Sequence, residues 1–148
     1  MKIFCVASFK TEIERLKKNN SYLGIESDVI HEFFDKEILL LKKGVRLNGE
    51  EETPYIKGRI NGSSGYRVYY LLIMKDDAAY LLYIHPKKGA FGVDNLLDKF
   101  VKELLIDVGS CIETNQNLFI VKCSENKRSY YLKLFQKKTK KTMKNLPR

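Results

Sequence analysis

Several absences narrow what this chain of 148 residues can be. Its three cysteines, Cys5, Cys111 and Cys123, are odd in number and share no short paired spacing. That argues against a disulfide framework and against a zinc site. Histidine occurs only at His31 and His85, and no nucleophile elbow accompanies them, so a serine hydrolase lacks its parts. Gly62, Gly65, Gly89 and Gly92 do not have the spacing of a Walker or dinucleotide loop. No apolar run approaches the roughly 18 residues of a membrane span. The start, MKIFCVASFK, has too short an apolar stretch for a secretory signal, and a cytoplasmic address away from membranes is expected. No acid follows Glu125.

What is present describes a folded, basic chain. A hydrophobic fraction of 44% and an aromatic fraction of 11% are those of a globule, and the length suits one domain with a tail. The formal charge is +9, and Lys137, Lys138, Lys140, Lys141, Lys144 and Arg148 supply six of those positives. Such a balance favours polyanionic partners, and contacts with phosphate would be salt-sensitive.

The order of elements can be read from periodicity. Lys2 to Ala7 reads as a strand, then Ser8 as an N-cap for a helix through Ile13 and Leu16 to about Lys18, stopped by Asn19 and Asn20. Helical spacing between about Tyr22 and Lys43, with Ser27 as an internal cap if the segment is broken, predicts a second helix ended by Gly44 and a helical hairpin overall. Residues 44–54 form a polar loop whose Glu50, Glu51 and Glu52 read as solvated. After Pro86 and a basic turn, Asp94 is expected to cap a helix from about Asn95 to Ile106. Leu118 to Cys123 and Ser129 to Phe135 predict a further hairpin, and the lysine-rich end has almost nothing to bury and reads as mobile or a frayed helix.

The centre of the chain is a meander of three runs, Tyr55 to Ile60, Tyr66 to Lys75 and Ala79 to His85, joined at residues 61–65 and at Asp76-Asp77. Alternation puts Lys57 with Arg59, Arg67 with Tyr69, and Tyr83 with His85 on shared faces. Ile56, Ile60, Val68, Tyr70, Leu72, Leu82 and Ile84 fall on the opposite, apolar one. Helices against the apolar face would gather the cations on the other. Arg67 opens the most apolar run of the chain, where a charge needs a partner or a purpose. Neighbouring cations should keep His85 neutral and available as a base, whereas His31, set among Ile30, Phe33 and Phe34, reads as a packing or surface residue.

Lys57-x-Arg59, then Ser63-Ser64-Gly65-Tyr66-Arg67-Val68-Tyr69-Tyr70, then a strand ending in a basic turn, resembles the RelE superfamily of bacterial toxins. The likeness covers residues 1–107. It implies an α+β fold in which a small antiparallel sheet carries an N-terminal helical hairpin on one face and a C-terminal helix. Residues 108–135 then form an extra hairpin packed on the same domain, and residues 136–148 a basic tail. It also implies cleavage of messenger RNA, typically at the ribosome, and neutralisation by a cognate antitoxin.

By that resemblance Lys57 and Arg59 match the family's lysine pair, Arg67 its central arginine, and Lys88 its basic-turn arginine. No tyrosine lies between Pro86 and Val108 to match the C-terminal catalytic one, and His85 takes the part that a histidine plays in other branches. Expected roles follow for cleavage without metal or cofactor. Arg67 and Arg59 bind the scissile phosphate, and Lys57 or His85 serves as general base or acid. Lys87 and Lys88 hold flanking phosphates, and Tyr69 or Tyr83 stacks on a base. A non-catalytic toxin of the same fold that blocks a protein such as gyrase, and a basic RNA-binding module, are the alternatives.

Overall fold

A computed structural model of the chain describes residues 1–60, 65–126 and 129–137. The turn at 61–64, the hairpin tip at 127–128 and the tail at 138–148 lie outside the described residues. The elements are β1 (Lys2–Val6), α1 (Ala7–Lys17), α2 (Ile25–Phe33), α3 (Ile38–Leu41), β2 (Val45–Arg46), β3 (Tyr55–Ile60), β4 (Tyr66–Ile73), β5 (Ala78–Pro86), α4 (Asp98–Thr114), β6 (Leu118–Asn126) and β7 (Ser129–Gln136). All seven strands join one sheet in the order β2-β3-β4-β5-β1-β6-β7. The fold is α+β. The meander β3-β4-β5 is antiparallel, but β1 lies parallel to β5, and β6 then runs antiparallel to β1. The C-terminal hairpin therefore extends the same sheet, and α4 runs across position 107.

Each face of the sheet is covered by different helices. Phe9, Ile13 and Leu16 of α1 and Ile25, Val29, Ile30 and Phe33 of α2 pack on Ile56, Val68, Tyr70, Leu72, Leu81 and Ile84. On the other face, Leu104 and Val108 of α4 pack on Phe4, Tyr55, Leu71, Tyr80 and Leu82. Leu82 is a departure from strict alternation. Tyr69 pairs with Tyr83 but Tyr70 with Leu81, so a bulge turns Leu82 toward α4. The Ser8 hydroxyl donates to the Leu82 carbonyl at 2.7 Å. Ser8 thus serves the bulge and is not the N-cap of α1, which starts at Ala7.

Other boundaries also moved for identifiable reasons. The single helix expected over 22–43 is divided into a 3-10 turn at Asn20–Tyr22, then α2, then α3, and Ser27 caps nothing. Asn19 accepts from the Ser21 amide at 2.8 Å and opens that first turn. Asp94 does not cap a helix, because the chain just before it is tied to the end of β5 and α4 begins only at Asp98. The Val93 amide donates to the Pro86 carbonyl at 3.0 Å. The helix starts only at Asp98 and runs beyond Ile106, since Val108 continues the buried stripe. Asn115, at φ 54°, ends it. Among the described residues no helix is long and apolar enough to cross a membrane.

Candidate functional site

Strand register brings the predicted cations together. Arg59 pairs with Arg67 and Arg67 with His85, which makes one row across β3, β4 and β5. Lys57, Tyr69 and Tyr83 form the next row. Side chains two residues apart share a face, so both rows lie on the α4 side, about 7 Å apart. Just past His85, the Lys87 amide bonds the Gly65 carbonyl at 3.2 Å, which holds the basic turn beside the start of β4. Lys87 and Lys88 are exposed.

Directly opposed like charges destabilise a sheet. Among the described residues, Arg59, Arg67 and Lys57 nevertheless have no carboxylate in an ion pair. The only side-chain partner of Lys57 among them is Asn95 Oδ1, at 3.4 Å. A bound anion would relieve that repulsion, and Arg67 offers a planar fork for it. Arg59 is less convergent than its backbone position. It is exposed at the sheet edge and borders a cavity of about 380 Å³ with Asp28, His31, Glu32 and Lys36.

His85 is only 3% exposed. Tyr69 stacks on it with centroids 6.0 Å apart, and Tyr83 flanks it at 6.4 Å. Its Nδ1 lies 3.3 Å from the Pro86 carbonyl, the Val93 backbone lies nearby, and its buried Nε2 makes no hydrogen bond of good geometry among the described residues. With the Nδ1 proton given to that carbonyl, an assignment made from the hydrogen-bond geometry, Nε2 carries an unused lone pair. Burial above all, and then the Lys57 and Arg67 charges, hold this histidine below the usual imidazole range.

The neutral imidazole has a consequence for stability. Unfolding returns His85 to about 6.5, so below that pH the unfolded chain takes a proton that the native state resists. This contribution is absent above about 6.5 and destabilises progressively as pH falls toward the folded value. The urea midpoint is expected to drop between about pH 7 and pH 5, and His85→Gln to flatten that slope. An unchanged slope in the variant would assign the loss to other groups.

The expected base-stacking role does not suit Tyr69. At 1% exposure its ring is a wall for His85, because α4 and the sheet close over it. Tyr83 is half-buried and meets Phe100 edge-on at 5.0 Å.

Residues with no local signal complete the site. Tyr22, fully buried, donates its hydroxyl to the Lys88 carbonyl at 3.0 Å and accepts from the Phe91 amide at 2.7 Å. It anchors the basic turn across more than sixty positions of sequence. Gly89 permits this approach: at φ +85°, an added Cβ would sit 2.7 Å from the Tyr22 hydroxyl. Arg15 lies over the Phe91 ring at 4.0 Å and is held by Glu12 at 2.8 Å. Tyr22→Phe leaves two backbone groups without that partner. It is expected to cost about 1–2 kcal/mol, read by urea denaturation.

Among the described residues no three His, Cys, Asp or Glu side chains are grouped to hold a metal ion. No family model, curated protein or solved structure matches the chain.

Proposed function

We propose that this chain is a RelE-like endoribonuclease that cleaves messenger RNA in the cytoplasm, associates with the ribosome and is restrained by a cognate antitoxin. The observation that carries the reading is the row Arg59-Arg67-His85, two guanidinium groups and a neutral imidazole, with Lys57 beside it and no carboxylate ion pair to Lys57, Arg59 or Arg67 among the described residues. Arg67 holds the scissile phosphate, with Arg59 at the rim. One of Lys57 and His85 removes the ribose 2'-hydroxyl proton, the 2'-oxygen attacks phosphorus, and the bond to the 5'-oxygen breaks as that oxygen takes a proton from the other. Guanidinium stabilises the negative charge that builds on the phosphorane. Lys87 and Lys88 hold neighbouring phosphates.

The products of that route are a 2',3'-cyclic phosphate and a 5'-hydroxyl. Brief induced expression should give transcripts with those ends, and transcripts left whole would overturn the proposal. DNA damage in their place would point to a gyrase-type protein target. The burial of His85 favours a second reading, a basic RNA-binding module without cleavage. RNA bound tightly yet recovered intact would support it.

A further inference from the structure

The C-terminal hairpin presents a second basic surface, remote in sequence from the Arg67 row. Along its α4-side face, Ile120, Lys122 and Ser124 of β6 pair with Phe135, Lys133 and Tyr131 of β7. No acid occupies these six positions. Tyr131 and Phe135, two large rings on one face of one strand, are 41% and 47% exposed. They stand about 13 Å apart, with Lys133 between them. Lys133 Nζ lies 5.4 Å from the Tyr131 ring, and Lys122 Nζ lies 5.8 Å from the Phe135 ring. None of Lys122, Lys133 and Lys137 has an ion-pair partner among the described residues.

We propose that this face is a binding platform for single-stranded RNA, in which Tyr131 and Phe135 stack on bases and Lys122, Lys133 and Lys137 meet phosphates. Alternating rings and ammonium groups on a rigid sheet match a polymer that alternates flat bases with anions. An exposed cation–π contact is weaker than a base stack, so an arriving base displaces the ammonium from the ring toward the backbone phosphate. A second copy adding as an extra strand is disfavoured, because Glu26 already accepts from the Leu132 amide on β7 at 3.1 Å. The lysine-rich residues 138–148 follow the hairpin directly in sequence. The inference does not require that the chain cleave RNA.

The test is fluorescence anisotropy of the full chain with a labelled 2'-O-methyl oligouridine of about 12 nucleotides, a probe that lacks the hydroxyl needed for cleavage. Tyr131→Ala and Phe135→Ala are each expected to weaken binding roughly tenfold, with Tyr131→Phe close to the parent. Lys122→Ala with Lys133→Ala should lower the slope of log affinity against log salt by about 1.4. The same sequence in a duplex should bind at least about tenfold more weakly, because paired bases cannot reach the rings. Full affinity in both ring variants would overturn the platform and leave binding to the tail. Loss of self-association in those variants, with affinity unchanged, would reassign the face to contact between copies. The tail is the same in every variant, so a loss confined to the ring changes belongs to the hairpin.

Discussion

Under the proposed ribonuclease function, Arg67→Ala is expected to lower RNA cleavage by roughly 100-fold to 1,000-fold and to relieve growth inhibition, the loss typical when one preorganised donor to a developing oxyanion is removed. The magnitude rests on position. Arg67 is the middle member of its row, flanked by Arg59 on β3 and His85 on β5, and half-buried where water screens its charge incompletely. Arg67→Lys keeps the charge but loses the planar fork, and should fall between the parent and the alanine variant. Removal of the guanidinium also relieves repulsion with Arg59, so thermal stability should hold or rise while activity falls. Cleavage assayed on ribosomes, with melting temperature measured in parallel, checks both parts. Parental activity in Arg67→Ala would remove this residue from the chemistry.

Phe33→Ala should destabilise the protein by about 3–5 kcal/mol, the range for deletion of a fully buried aromatic ring. Phe33 has no solvent exposure and meets Tyr70 edge-on, with centroids 5.2 Å apart and planes at 89°. Tyr70 in turn donates its hydroxyl to the Leu41 carbonyl at 2.6 Å, inside the protein. This contact chain ties α2 to β4 and β4 to α3, so the vacated space has well-fixed walls and collapses poorly. Leu39, 63% exposed on α3, is the control, and Leu39→Ala should stay within about 0.5 kcal/mol. Urea denaturation with an unchanged m-value would assign the effect to the native state. A loss below about 1 kcal/mol would mean that the cavity is refilled.

The two outcomes bear on different levels. Phe33 supports the α2 face of the sheet, and Arg67 stands on the opposite face, turned toward α4. A variant that unfolds loses activity whatever the mechanism. A variant that keeps its melting temperature and loses cleavage speaks to chemistry alone.

Local pattern was enough for the parts of this molecule whose causes are local. Turn residues and alternation marked β3, β4 and β5 to within a few positions, and the same alternation placed Lys57, Arg67 and His85 on one side, whereas the Arg59 side chain at the edge borders α2 residues Asp28, His31 and Glu32. The helical stripe of α1 and the C-terminal hairpin were legible for the same reason, since period and breaker residues act over a few neighbours.

The tertiary structure alone decided the parallel pairing of β1 with β5, the packing of α4 on the cationic side and the bulge that turns Leu82. It also decided the burial of His85 and the grip of Tyr22 on the basic turn, a contact between residues 66 positions apart. Periodicity carries no information about a partner strand far along the chain. That choice is made by closure of the whole sheet, which determines where one strand ends, which helix crosses it and which carbonyl still needs a donor.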